Sequence, residues 1–310
     1  MNVESLRGAY YLAQCGFLII GYGVAGVCGY AKLIGRRHKI VQLWHGIPLK
    51  RIGKLFPGEK HWKEETPKYA ASVCSSERDR EIMAAAFSPL EPARIWQTGL
   101  PRNRTFLIDE ADLPQDYRND LDRLRGELAG RRLVLYAPTW RDSEIGIYPF
   151  SENHRAALRD VLVRHNAILA IRAHANRRVV DAYQDMRANG SVIFVNEYPD
   201  VNVLLRITDV LVTDYSSIFI DFMLTGRPIL HFTYDIHEYV KERGFLYSLD
   251  EALPSKWFDT AEQLVQELES ALTGAIRDSS RYAAARKLFH SHGTTEAADV
   301  VREIKGLAGM

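Results

Sequence analysis

The sequence is poor in the features that would commit it to several large classes of protein. Its three cysteines, Cys15, Cys28 and Cys74, are too few and too scattered for a disulfide framework or a zinc site. A reducing, cytosolic compartment is therefore the simplest expectation. Neither sign of charge prevails: 40 Lys+Arg face 39 Asp+Glu, a formal net charge of +1. A protein built to coat nucleic acid needs a clear basic excess, so that class is excluded. Long hydrophobic runs are missing too. The most apolar stretch, CGFLIIGYGVAGVCGY at 15–30, falls short of the ~20 residues of a bilayer span and is rich in glycine. The start, MNVESLRGAYYLAQCG, lacks the charged-then-apolar order of a secretory signal. Internal repeats and low-complexity segments are absent.

What is present is an ordinary globular composition, with 46% hydrophobic and 25% charged residues over 310 positions. That length suits one large domain or two medium ones. Short apolar runs alternate with helical patterns. In the first part, Phe17–Ile20, Ile40–Leu43 and Arg94–Gln97 read as strands and Glu77–Ala86 as a helix. A charged helical stretch at 117–129 leads to a clean series of strands at Arg132–Ala137, Ala167–Ile171, Ser191–Val195, Val210–Thr213 and Pro228–Phe232. Helices are expected between them at Asn153–Arg164, Arg177–Ala188, near Val201–Arg206 and at Ser217–Leu224. Strands apolar on both faces and alternating with helices imply parallel sheets built from right-handed βαβ units. The expectation is two α/β domains, 1–116 and 117–310, with a helical tail. In such folds ligands bind beyond the carboxyl ends of the strands.

GYGVAG (Gly21, Gly23, Gly26), directly after FLII, matches the dinucleotide fingerprint G-x-G-x-x-G. The acidic residue needed about 20 positions later is missing, because that region reads KIVQLWHGIP. A nicotinamide cofactor is not expected, and the glycines read as a turn with close helix packing.

Four strand ends carry groups suited to anion chemistry. LWHGIPLKRIG (43–53) places His45 at a strand end, where a neutral imidazole takes a proton from a hydroxyl. Gly46 permits close approach of a backbone or ligand, and Lys50 and Arg51 follow. The alternative is a buried histidine satisfied by a carbonyl. YAPTWRD (136–142) offers Thr139 and Arg141 to phosphate oxygens, or is a covering loop with Arg141 paired to Asp142. IRAHAN (171–176) sets Arg172 and His174 on one side of an extended segment. VLVTDYSSIFID (210–221) carries Thr213, Asp214, Ser216 and Ser217 at a helix start, where free N–H groups suit a phosphate and where Asp214 or Ser216 also suits N-capping. An aspartate beside a phosphate makes electrostatic sense only if it orients a cation or a hydroxyl.

LWHGIPLK, TGLPRN (98–103), YAPTWRD, RAH and TDYSSIFIDF, in this order, resemble the CDP-glycerol glycerophosphotransferase family, which makes teichoic-acid-like and capsule polymers. The resemblance covers roughly 41–244. It implies a GT-B-like fold of two Rossmann-type domains facing across a cleft, the first short, either as a reduced sheet or for want of upstream residues. The first domain is then the acceptor side and the second the donor side. By resemblance, His45 is the general base. His174, with Arg172, stabilises charge on the transferring phosphoryl group. Thr139, Arg141, Thr213, Asp214, Ser216 and Ser217 line the donor phosphate site, and Gly46, Lys50 and Arg51 lie on the acceptor or membrane side. The resemblance implies transfer of glycerol phosphate from CDP-glycerol to a lipid-linked or polymeric hydroxyl, with release of CMP. No cofactor and no metal-ligand spacing are expected, while dependence on a divalent ion and the oligomeric state stay open. Ala175, Arg104 and His292 depart from the family's usual proline, aspartate and aspartate, which leaves donor and acceptor open. CDP-ribitol transfer, a nucleotide-sugar glycosyltransferase and a non-catalytic glycopolymer-binding module are the alternatives.

Lysines crowd one segment (Lys32, Lys50, Lys54, Lys60, Lys63, Lys68), interleaved with Phe56 and Trp62. Basic and aromatic residues together suit an anionic membrane surface, or equally a polyanionic acceptor. The expected location is the inner face of the cell membrane, with peripheral attachment.

Overall fold

The computed structural model describes residues 5–24, 38–56, 68–139, 150–172, 181, 183–273, 278–291 and 297–309. The chain forms two compact α/β units. The first comprises Met1–Arg104, Arg243–Leu246 and Lys287–Met310, and the second Thr105–Glu242 and Tyr247–Arg286. The division expected after residue 116 thus falls after Arg104 instead. The end of the chain, expected with the second domain, packs in the first unit. The reason is a set of long-range bonds: Ser75 Oγ to His290 Nδ1 (3.1 Å) and Gln97 Nε2 to Ser291 Oγ (3.1 Å) tie the tail to that unit's strand ends.

In the first unit, β1 (Phe17–Ile20), β2 (Lys39–Gln42), β3 (Tyr69–Val73) and β4 (Ile95–Trp96) form a parallel sheet in the order β1-β2-β3-β4 among the described residues. Sequence patterning locates β1, β2 and β4 but misses β3, whose YAASV core is made of small residues. Its neighbours β2 and β4 bury it on both edges. The helix Glu77–Ala86 begins at Ser76, whose side chain accepts from Asp79 N–H, and it buries Ile82, Met83 and Ala86. Met83 and Ala86 join Ile20, Trp44, Phe87 and Ile95 in one core. Gly53 is forced by this packing: its φ is +55°, and a Cβ there would lie 2.4 Å from the carbonyl oxygen of Ala86.

In the second unit, β5 (Arg132–Tyr136), β6 (Ala167–Ile171), β7 (Val192–Phe194), β8 (Val210–Thr213), β9 (Ile229–Phe232) and β10 (Trp257–Phe258) are all parallel. Their order is β10-β9-β8-β5-β6-β7. Every residue of β6 and β8 is buried, as expected for strands covered on both faces. The chain builds outward from β5 through β6 to β7, then returns to the other side of β5 with β8, β9 and β10. The order therefore reverses between β5 and β8, the switch point at which open α/β sheets hold ligands.

The helices Gln115–Leu128, Glu152–Arg164 and Val201–Ile207 lie where expected. The expected helix 177–188 is described only as Gln184–Ala188. The expected helix 217–224 is Ile218–Phe222 followed by a 3₁₀ turn, Met223–Thr225, which Gly226 ends at φ 68°. The tail folds as Ala261–Ala271, Ser279–Phe289 and Ala297–Ala308. Among the described residues, no helix is long and apolar enough to cross a membrane.

Candidate active site

The carboxyl rim of the first sheet centres on His45. Gln42, the last residue of β2, is fully buried. Its Oε1 accepts from Trp44 N–H (2.9 Å) and its Nε2 donates to the carbonyl of Tyr22 (2.9 Å). One amide thereby joins the turn after β1 to the turn after β2. Trp44 is held at φ 57°, a left-handed conformation costly for a bulky residue and characteristic of functional turns. Burial of its ring edge-on against Phe87, at 4.9 Å, offsets that cost. Gly46 follows at φ 150°.

This turn presents His45 with one edge open to solvent. Its ring lies parallel to Tyr22, with centroids 4.6 Å apart and planes 7° apart, and packs against Trp44 at 4.4 Å. Nδ1 sits 3.3 Å from the carbonyl of Gly21. A carbonyl only accepts, so the neutral ring carries its proton on Nδ1 and Nε2 is the basic nitrogen. Desolvation at the packed faces is the largest influence on the ring's pKa and lowers it from 6.5. The Gly21 carbonyl opposes this and the Arg102 guanidinium adds to it, and the net shift is downward. Arg102 also donates from Nη1 to the carbonyl of His45 (2.5 Å).

Lys50 and Arg51 run beside residues 244–246 of the same unit. Lys50 forms an antiparallel bridge with Phe245, and Leu246 N–H donates to the carbonyl of Leu49 (3.0 Å). The Arg51 side chain lies across Gly244, where a Cβ would meet its Nε at 3.1 Å.

On the second sheet, the switch point brings Thr139, after β5, to Asp214, after β8. Asp214 is 1% exposed. Its Oδ1 accepts from Thr139 N–H (2.8 Å), from the Thr139 hydroxyl (2.7 Å) and from Ser216 N–H (3.2 Å). Thr213 donates its hydroxyl to the carbonyl of Ala137 (2.7 Å). The aspartate thus orients a hydroxyl and two amides rather than capping the helix, which starts after Ser217 with no side-chain cap. The hydroxyl protons of Thr139 and Thr213 are committed inside the protein, and Ser216 and Ser217, which follow on this turn, are half-buried. Arg172, after β6, is anchored by Nη1 to the carbonyls of Tyr198 (2.8 Å) and Val195 (3.2 Å). Burial lowers its pKa, and Asp200 and Glu197 oppose that. Arg141, His174, Gly26, Lys32, Lys60, Lys63 and Trp62 lie outside the described residues.

A family model described as CDP-glycerol:poly(glycerophosphate) glycerophosphotransferase matches residues 1–305. The chain belongs to this family. Among the curated relatives of this glycerophosphotransferase family member, a teichoic acid poly(glycerol phosphate) polymerase of Staphylococcus epidermidis is 31% identical over 256 residues, covering 74% of this chain and 33% of the relative. A teichoic acid glycerol-phosphate transferase of Staphylococcus aureus is 30% identical over 270 residues, covering 82% of this chain and 66% of the relative. The chain thus spans between a third and two thirds of the length of these two relatives. The solved structure of the wall teichoic acid polymerase TagF is similar over 97% of this chain and 74% of its own, at TM-score 0.78 and 25% identity. That likeness and the two parallel sheets make the fold GT-B-like.

Sequence reasoning about this family member overlooked three residues of the first rim. Tyr22 sits inside the glycines set aside as a false dinucleotide fingerprint, Gln42 reads only as a strand residue, and Arg102 belongs to TGLPRN, which carries family likeness but no assigned role. The available signal was positional for two of them: Gln42 ends β2 and Tyr22 stands just beyond β1, whereas Arg102 lies past β4 in the 3₁₀ segment Pro101–Phe106.

Proposed function

We propose that the chain is a phosphotransferase that moves glycerol phosphate from CDP-glycerol to a hydroxyl of a lipid-linked or polymeric polyol-phosphate acceptor in teichoic-acid-like polymer synthesis. The observation that carries the proposal is His45, a neutral imidazole with its proton fixed on Nδ1 and its basic Nε2 left at an exposed strand end, in a chain of this family.

In the proposed reaction the acceptor oxygen bonds to the glycerol-linked β-phosphorus. The bond from that phosphorus to the bridging oxygen breaks, CMP leaves with the electron pair, and Nε2 of His45 takes the acceptor's proton. Phosphoryl transfer of this kind depends mainly on positioning and on stabilisation of charge. We assign donor phosphate contact to Ser216, Ser217 and the amides of their turn, which Asp214 holds, and charge stabilisation to Arg172 with Arg141 and His174. Peripheral contact with the cytoplasmic face of an anionic membrane, through the lysine-rich segment, belongs to the same proposal. Exposed Leu6 and Tyr10 on the helix Leu6–Gln14 support it.

A donor screen decides the reading. CDP-glycerol, CDP-ribitol and UDP-sugars are offered with a polyol-phosphate acceptor, and released nucleotide is measured. CMP release from CDP-glycerol with phosphate retained on the product is the expected outcome. Preference for CDP-ribitol would move the chain to the second reading, which a Staphylococcus aureus teichoic acid ribitol-phosphate polymerase at 26% identity favours. Transfer of a bare sugar would overturn both.

A further inference from the structure

We infer that His231 is a positioning residue for the donor side: through one fixed ring nitrogen it holds the backbone of Asp214, and so the turn that carries Ser216 and Ser217. The inference rests on the donor role proposed above for that turn.

His231 lies in β9, paired in register with Thr213 of β8 and Trp257 of β10. It is 0% exposed. Nδ1 is 3.2 Å from the carbonyl of Asp214, and the edge of Phe219 meets the ring at 4.8 Å and 87°. Nε2 is buried and has no hydrogen-bond partner among the described residues. Burial, helped by the charge of Arg281, drives the pKa down to about 4, so the ring is neutral near pH 7 and carries one N–H. The Asp214 carbonyl can only accept, which places that N–H on Nδ1.

A histidine is an expensive choice for this position. Its second nitrogen is desolvated without compensation, and an aliphatic or phenyl side chain would fill the strand without that cost. What the histidine supplies is a donor that reaches across from β9 to the last bond before the Asp214 turn. Asp214 is then held twice: by its carboxylate, which takes Thr139 and Ser216, and by its carbonyl, which takes His231. With both ends of the residue fixed, the Ser216–Ser217 backbone is set before any ligand arrives.

The test compares His231→Asn, whose amide nitrogen can replace Nδ1, with His231→Leu, which fills the space and donates nothing. In the wild type, ¹⁵N shifts should report an Nδ1–H tautomer at His231 that does not protonate down to pH 5. His231→Leu should raise KM for CDP-glycerol by about five- to tenfold, the worth of one net hydrogen bond, with kcat changed less. It should also speed hydrogen exchange at the amides of Thr139 and Ser216. His231→Asn should restore most of both. An Nε2–H tautomer, or Leu and Asn variants alike in exchange and KM, would overturn the inference. If the wild type does not use CDP-glycerol at all, the proposed function fails, and the tautomer and exchange measurements still decide the role of His231.

Discussion

Tyr22 lies flat against His45, with ring centroids 4.6 Å apart and planes 7° apart. The two residues come from different strand ends, and the buried amide of Gln42 ties their turns together. The stack holds the imidazole in the plane in which its Nδ1 meets the Gly21 carbonyl. Removing the proposed base and removing its support should therefore differ in size. His45→Ala should lower kcat by ~10²–10⁴, the usual worth of a general base. Tyr22→Ala should cost about 2- to 10-fold, in line with the ~0.5–1.5 kcal/mol of an aromatic pair. Steady-state kinetics on CMP release checks both. Full turnover in His45→Ala would remove the base assignment, and retained glycopolymer affinity with no turnover in either protein would favour a binding module.

The same packing sets a pH dependence. The His45 pKa is lowered from 6.5 by desolvation and by Arg102, and the proposed base acts only when unprotonated. The acid limb of kcat/KM should therefore fall below pH 6.5, with activity flat through neutrality. Arg102→Gln removes one of the two lowering influences, so the limb should move up. A limb above 6.5 in the wild type, or a downward move in the variant, would contradict the geometry.

Asp214 predicts a combined loss of stability and donor binding. Asp214→Ala leaves the amide and hydroxyl of Thr139 and the amide of Ser216 without their acceptor. Losing a buried carboxylate acceptor of this kind costs about 3 kcal/mol, read by urea denaturation, and KM for CDP-glycerol should rise. Thr139→Val removes only the hydroxyl bond and should cost about 1 kcal/mol.

Two buried groups should give the units opposite pH profiles. His231 titrates at about 4 in the folded chain against 6.5 ordinarily. Between those values the unfolded chain binds the extra proton, so stability of the second unit rises with pH up to about 6.5, by up to roughly 3 kcal/mol. Asp79 behaves in reverse. Buried at the first turn of Glu77–Ala86, with Oδ2 accepting from Ser75 N–H and Oδ1 without a partner among the described residues, it is pushed up from 3.8 to about 7. The folded state keeps a proton that the unfolded chain releases, so stability of the first unit falls as pH rises from about 4 to 7 and is level above that. Asp79→Asn should abolish this fall, gaining on the wild type more at pH 8 than at pH 5. A pH-independent difference in denaturation midpoint would count against it.

The lysine-rich segment predicts membrane affinity. Replacing Lys54, Lys60, Lys63 and Lys68 by glutamate should weaken binding to anionic vesicles by at least ~1 kcal/mol per charge brought near the surface. Binding equal to that of the wild type would refute the peripheral role.

Much of the fold is legible in the amino-acid pattern alone. The strands Phe17–Ile20, Ala167–Ile171 and Val210–Thr213 and the helix Glu77–Ala86 stand at the residues their apolar pattern predicts. A strand covered on both faces is written as a continuous apolar run, and a helix as a capped periodic one. β3 escaped because YAASV earns its place by small size between two neighbours, not by its own hydrophobicity. The tail of the chain escaped because its partners, Ser75 and Gln97, are some 200 residues away in sequence.

The sequence by itself determined the family, through five ordered motifs, and the class of each unit, through strand and helix patterns that are local. Local patterns carry no information on which strand ends become neighbours. Tertiary structure decided that: Tyr22 against His45 by the pairing of β1 with β2, Thr139 against Asp214 by the reversal of order between β5 and β8. It also decided what each group has left to offer. Thr139 and Thr213 look like phosphate ligands as residue types, but their hydroxyl protons go to Asp214 and Ala137. A hydrogen-bond donor spent within the fold is not available to a ligand, and only the folded arrangement shows where each one is spent.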